Sequence, residues 1–283
     1  MARFYCTPAE FTNWPTGLDV QDLIPDAPDA QQTAQLAVIL QGASSYADQL
    51  TYQPLYARSA TDPGTQARGA AGGRLVVRLR SFPAASITAA QWQLSTVGGW
   101  NNIPAADCHI VGNLASQYYA DDVDYRTATG WGNPSVTVMT QYVVGYPNAV
   151  TTAAVTAGAT ALDLDEVTGL GGSSTVGNLT LPGTTLTIYD LQGGQEDVTV
   201  DSVSGNTVTL TTGTQYGHAE GVRVSALPPA VTEACIYIAA WMIKERRAGG
   251  GISMEGSLQP MDVRQSEDLQ MARQLLQPYK RVI

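Results

Sequence analysis

The sequence predicts an α+β protein with a helical core, a β-strand region and an inserted all-β stretch. Three observations carry that prediction. Apolar residues recur at helical spacing towards both ends of the chain, over 29–50 and 229–247. Between these stretches the period changes to two, beginning at 74–80. From about 150 to 226 the composition shifts to Thr, Val, Gly and Leu, with His218 and Arg223 as the sole cationic or imidazole residues.

In Thr7-Pro8-Ala9-Glu10, Thr at the cap, Pro at the first helical position and Glu three residues after the cap predict a short helix. It should run to about Trp14 and stop at Pro15. A Pro- and Asp-rich connector, 22–29, comes next, and Asp29 is placed to cap the second helix. There Leu36, Ile39, Leu40, Ala43, Tyr46, Ala47 and Leu50 form one stripe, and Pro54 ends it. Residues 57–73 are mostly Gly, Ala, Thr and Asp with little to bury, which predicts a long mobile loop. In 74–80 the side chains alternate. Leu75, Val77 and Leu79 face one way, while Arg74, Arg78 and Arg80 make a candidate basic contact face for DNA or an acidic neighbour. Further strands are expected at 90–95, 108–111 and 135–144, and irregular chain over 118–133.

Residues 198–203 and 207–212 flank Gly205-Asn206, a two-residue hairpin signal, and 185–189 reads as another strand. The expected division is 1–149, an all-β module at 150–226, and 227–283. Helix returns at Pro229, with Val231, Ala234, Cys235, Ile238, Trp241 and Met242 on one apolar face. Ile236, Ala239, Ala240 and Ile243 extend that face nearly all the way round, so the helix should be buried on all sides. Lys244, Arg246 and Arg247 suit its C-terminal dipole, and 249–251 end it. A last helix, begun at Asp262 or Ser266, should end at Pro278 and leave the tail Tyr279, Lys280, Arg281, Val282 and Ile283 free.

Composition narrows the function. Charged residues make up 14% of the 283, well below the roughly 25% of ordinary soluble domains. Gly, Ala, Thr, Ser and Gln take their place, a pattern suited to surfaces buried by neighbours. The net charge of −10 argues against coating nucleic acid, which takes many cations. Cys6, Cys108 and Cys235 form no CxxC pair and read as reduced core residues. The opening residues lack the apolar run of a secretory peptide, and the longest apolar stretch, 234–243, is too short for a membrane span of about 20 residues. A cytoplasmic origin and no membrane contact are therefore expected.

Little points to catalysis. His109 and His218 lie far apart, and no phosphate loop, nucleophile elbow or zinc-helix motif occurs. The acidic groups Asp121-Asp122-Val123-Asp124 and Asp163-Leu164-Asp165-Glu166 complete no calcium loop and read as solvated turns. No enzyme activity, cofactor or metal is expected.

Two separated stretches make one motif once 150–226 is set aside. Val136–Pro147 is a strand running into a Gly-Tyr-Pro turn. Leu227-Pro-Pro-Ala-Val-Thr-Glu-Ala-Cys235 opens an apolar helix with a basic end. Together with the helix at 29–50 and the ending Leu275-Leu-Gln-Pro-Tyr-Lys-Arg281, they resemble the head-to-tail connector (adaptor) family of tailed bacteriophages. The resemblance covers 29–56, 136–147 and 228–283. It departs from the compact family pattern at 57–135, which is longer than needed, and at 150–226. The latter resembles small β modules of phage structural proteins, with a closing Gly217-His-Ala-Glu-Gly221.

The resemblance implies a structural protein of the virion neck, made in the host bacterial cytoplasm. Its partners would be itself in a dodecameric ring, the portal protein, a stopper or tail-tube protein, and double-stranded DNA passing through without sequence-specific binding. The tail 279–283 would dock on the portal, and Val231, Cys235, Ile238, Trp241 and Met242 would pack the ring. The alternatives are another neck ring (stopper or tail terminator) or a β-rich capsid-decoration or carbohydrate-binding protein.

Overall fold

A computed structural model of the chain describes residues 4–21, 23–69, 74–94, 99–110, 117–121, 123, 136–171, 174–176, 179–181, 183–248 and 267–281. The fold is α+β, with more strand than helix. It divides into two compact units, Met1–Pro54 with Leu227–Ile283, and Leu55–Ala226.

The first unit is helical. Helix α1 (Pro8–Asn13) begins as expected: the Glu10 N–H donates to the Thr7 hydroxyl at 3.2 Å, and the Thr7 N–H donates to the Glu10 carboxylate at 2.7 Å. Helix α2 (Asp29–Thr51) is capped by Pro28 rather than Asp29, which is its first helical residue. Gln32 fastens the connector instead. Its side-chain amide donates to the Ile24 carbonyl at 2.7 Å, and its side-chain oxygen accepts from the Ile24 N–H at 2.9 Å. Leu36, Ile39, Leu40, Ala43 and Ala47 are buried, the stripe read from the sequence. Tyr52, in the left-handed conformation at φ 58°, ends the helix.

Helices α3 (Pro229–Ala248) and α4 (Glu267–Leu276) complete the unit, and α3 packs against both α2 and α4. The Tyr46 and Trp241 rings lie 5.7 Å apart across α2 and α3. The Ser44 hydroxyl, buried between these helices, donates to the Leu40 carbonyl at 2.9 Å, so it leaves no unpaired polar atom there. Residues 249–251, Asp262 and Ser266, with their expected stop and start signals, lie outside the described residues.

The second unit contains a seven-stranded antiparallel sheet. Its strands are β1 (Arg58–Gly69), β2 (Leu75–Arg78), β3 (Ala84–Leu94), β4 (Asn101–Ile103), β5 (Cys108–Ile110), β6 (Gln117–Ala120) and β7 (Val136–Val144), in the order β4-β3-β7-β1-β2-β6-β5. The stretch expected to be a mobile loop, 57–73, is therefore largely strand. It has no continuous apolar face of its own and is held by main-chain pairing with β7, from Arg58 opposite Val144 to Ala67 opposite Val136. The register slips between Asp62 and Thr65, so Pro63 and Gly64 sit in a bulge, where a missing donor costs nothing. Strand β6 likewise replaces part of the expected irregular stretch. The core holds Leu75, Val77, Tyr118, Val138 and Tyr142, all at most 1% exposed.

At the end of β7, Gly145 takes φ +95°, and a Cβ there would lie 2.3 Å from the Tyr56 carbonyl oxygen. Only glycine fits this turn. From it the Gly145 N–H donates to Pro83 O and the Tyr146 N–H to Leu55 O, each at 2.8 Å.

The Thr/Val-rich stretch supplies β8 (Asn148–Val150), β9 (Ala161–Asp163), β10 (Ser174–Val176), β11 (Leu179–Leu181), β12 (Thr185–Asp190), β13 (Gly194–Ser204), β14 (Thr207–Leu210) and β15 (Arg223–Ser225). Strands β10 and β11 pair with each other, and the rest form a six-stranded sheet ordered β8-β15-β12-β13-β14-β9. Gly205-Asn206 links β13 to β14 as the sequence indicated. This sheet has its own core of Leu162, Leu164, Leu186, Ile188, Val200 and Val208. Chain enters through β8 and leaves through β15. Asn148 lies opposite Ser225, and the Ala226 N–H donates to the Pro147 carbonyl at 2.9 Å.

Candidate functional site

The residues nominated from the sequence fall in three places. The first is helix α3. Val231, Cys235 and Ile238 are fully buried, as are Ile236, Ala239 and Ala234, so the all-round apolar surface is covered within the chain itself. Val231, Cys235 and Ile238, which the resemblance implied would pack the ring, pack inside the subunit instead. Trp241 and Met242 are half-buried and are what this face still offers a neighbour.

The second place is the C-terminal segment. Pro278 does not release the chain. A 3-10 turn, Gln277–Tyr279, continues from α4, and the segment returns to the end of α2. The Gln53 side-chain amide donates to the Tyr279 carbonyl at 3.1 Å, and the Arg281 N–H donates to the Thr51 carbonyl at 2.9 Å. The Lys280 ammonium lies 5.4 Å from the centre of the exposed Tyr52 ring. Burial pushes the Tyr279 phenol above its ordinary range. Tyr279, Lys280 and Arg281 are thus fastened to the helical unit, while Val282 and Ile283 lie outside the described residues. A salt bridge of 2.6 Å between Lys244 and Asp268 links α3 to α4 nearby.

The third place is strand β2. Leu75, Val77 and Leu79 are buried and Arg74, Arg78 and Arg80 exposed, the alternation expected. The Arg74 guanidinium meets Asp121 at 2.7 Å, with His109 3.5 Å from the other oxygen of that carboxylate. The Arg80 N–H donates to the buried Asp62 carboxylate at 2.8 Å, which ties down the end of the strand.

A fourth arrangement escaped the sequence reading. His218, in the closing Gly-His-Ala-Glu-Gly segment, is buried between two carboxylates: Nε2 is 2.6 Å from Glu196 and Nδ1 is 3.3 Å from Asp190. Glu196 also accepts from the N–H groups of Gln215 and Tyr216, and Asp190 from those of Gln192, Gly193 and Ala219. Burial acts against both charges and is the largest single influence on them. The amide donors and the His218 ring outweigh it and hold both carboxyls below their ordinary range. Gly193 completes the fit, since a Cβ there would lie 2.3 Å from the Gly217 carbonyl oxygen. This cluster clasps the segment around His218 onto the β12–β13 hairpin. Its signal in the sequence was a lone His in a Gly-rich closing motif; the partners come from strands distant in the chain.

The group at 163–166 was expected to be a solvated turn, but Asp163 ends strand β9, and Asp163 and Asp165 each bond to another strand; Glu166 alone makes a local turn bond. The Thr207 hydroxyl donates to Asp163 at 2.7 Å, the Val150 N–H to Asp165 at 2.8 Å and the Thr168 N–H to Glu166 at 3.2 Å. Asp122 and Asp124 lie outside the described residues. Cys6 and Cys235 are buried free thiols. Cys108 is half-buried, and its thiol is pushed up to about 11 by burial and by Asp107. Among the described residues no group of three or more His, Cys, Asp or Glu is arranged to hold a metal ion, and no helix is long and apolar enough to cross a membrane.

No protein-family model and no curated protein matches the chain. Among solved structures it is similar to a chain of the neck of an empty GTA particle computed with C6 symmetry. The identity is 12% and the TM-score 0.37, over 96% of this chain and 92% of that one.

Proposed function

We propose that this chain is the head-to-tail adaptor of a tailed phage, a ring beneath the portal that joins the head to the stopper or tail and leaves a channel for DNA. It acts by assembly and catalyses nothing. One observation carries the reading. Of the stretches in which the sequence resembles the adaptor family, the helical ones, within 29–56 and 228–283, lie far apart in the chain yet fold into one compact unit, while 136–147 belongs to the strand-rich unit. The long strand-rich stretch between them is a unit of its own.

In this reading the C-terminal segment is the portal-docking element. Tyr279, Lys280 and Arg281 are held beside Tyr52, and together with Val282 and Ile283 they offer an aromatic, two cations and two β-branched residues, a composition suited to strand addition at a neighbour's sheet edge. A net charge of −10 lets DNA slide through the channel without being held. The test is co-sedimentation with portal-containing heads that lack tails. Binding at one ring of copies per portal is expected, and failure to bind heads that accept other neck proteins would overturn the reading.

A further inference from the structure

Cations and carboxylates are segregated in this chain. Of its 15 Lys and Arg residues, Arg58, Arg68, Arg74, Arg78 and Arg80 fall within 58–80. Over 148–226, by contrast, eight Asp and Glu residues stand against a single Lys or Arg, Arg223, which is 2% exposed. The surface of the six-stranded sheet is therefore acidic without relief.

Register turns the arginines into a strip. Arg68 of β1 lies opposite Val76 of β2. Arg74 and Arg78 flank Val76 at two-residue steps of about 7 Å, on the face opposite buried Leu75 and Val77. Arg80 lies in the bend two residues past the end of β2, and all four side chains are exposed. Arg74 is paired with Asp121. Among the described residues Arg68, Arg78 and Arg80 have no carboxylate partner. On the six-stranded sheet, Asp163 and Asp197 are exposed on the face opposite Leu162, Leu164, Val198 and Val200.

We infer that the arginine strip is the docking surface for the acidic six-stranded sheet of a second copy of this chain. Copies carrying −10 each repel one another, so close packing needs a local patch of reversed sign. Such a contact joins two different surfaces, the head-to-tail kind that closes into rings. Complementary potentials of this sort set orientation and association rate. The inference rests on the ring reading above and supplies its subunit contact.

The experiment is sedimentation velocity on the full chain with two sets of substitutions, Arg68→Glu with Arg78→Glu and Arg80→Glu, and Asp163→Lys with Asp197→Lys. Wild type should self-associate in dilute salt. Its association should weaken by roughly tenfold or more between about 0.01 M and about 1 M salt, as the screening length falls from about 30 Å to about 3 Å. Each substituted chain alone should remain monomeric, and mixing the two should restore association, because every contact again joins opposite charges.

Thermal melts like that of wild type establish folding, and a neutral Arg→Gln set serves if the Glu set unfolds. A wild type that stays monomeric in dilute salt overturns the inference. So does an arginine-substituted chain that associates as wild type, or a mixture that fails to recover. If those arginines instead govern retention on duplex DNA while self-association is unchanged, the strip is a nucleic-acid face and the inference fails. None of these outcomes alters portal binding, which tests the adaptor reading separately.

Discussion

The Nε2 atom of His218 lies 2.6 Å from a carboxylate oxygen of Glu196, with both side chains buried inside the β-rich unit. Glu196 and Asp190 both titrate below their ordinary range because amide donors and the His218 ring stabilise their charged forms more than burial penalises them. Their folded values lie below the unfolded ones of about 4.3 for Glu and about 3.9 for Asp. The stability they contribute is therefore complete above those unfolded values and lost as pH falls through the folded ones. Melting followed from pH 7 downward should fall steeply below about pH 4. Glu196→Gln should cost about 1–3 kcal/mol at pH 7 and flatten that acid limb. An unchanged acid limb in the variant would show that the clasp is not its source.

Ile238, fully buried on α3, packs inside the subunit. Ile238→Ala should destabilise the helical unit by about 2–5 kcal/mol. Trp241→Ala, at a half-buried position against Tyr46, should cost less stability, yet it should weaken ring assembly if α3 meets a neighbour there. Chemical denaturation followed by helical circular dichroism reads the first effect, and sedimentation the second.

Gly145→Ala should destabilise by roughly 3 kcal/mol or more, because a Cβ cannot be accommodated beside the Tyr56 carbonyl and the φ of +95° is unfavourable for alanine. A melting temperature near that of wild type would mean that the turn relaxes.

Asn148 and Ser225 are cross-strand partners, so the ends of the second sheet lie side by side. Replacing 149–226 by a short Gly/Ser linker should leave the remaining chain folded, with its helical dichroism and a cooperative melt. Loss of both would make that stretch part of a shared core.

The sequence was most legible where the signal is local. The capping box at Thr7, the arginine and leucine alternation on β2, and the turn at Gly205-Asn206 each arise from residues within a few positions of one another. Strand β1 was not legible, because it is stabilised by main-chain bonds to β7, 69 to 86 residues on, opposite Val136–Val144, and shows little apolar alternation. The His218 clasp was half legible. Its closing segment stands out by glycine content, but Asp190 and Glu196 reach it only through the hairpin. The C-terminal segment misled for a related reason. Pro278 does break the α-helix, but a 3-10 turn needs no donor at that position, and Gln53 and Thr51 capture Tyr279 and Arg281 beyond it.

That capture makes the docking proposal separable. Deleting Val282 and Ile283 alone should leave the melt unchanged and reduce attachment to portal-containing heads. Deleting 279–283 should in addition cost about 1–3 kcal/mol through loss of the bonds to Gln53 and Thr51. Undiminished attachment after the longer deletion would assign docking to another part of the chain.

The adaptor proposal is decided by a cryo-electron microscopy reconstruction of particles assembled with this chain. The chain should appear as a closed ring on the portal–tail axis, its helical unit facing the portal and its centre open to DNA. Density for the chain on the capsid surface, or anywhere off that axis, would contradict the proposal.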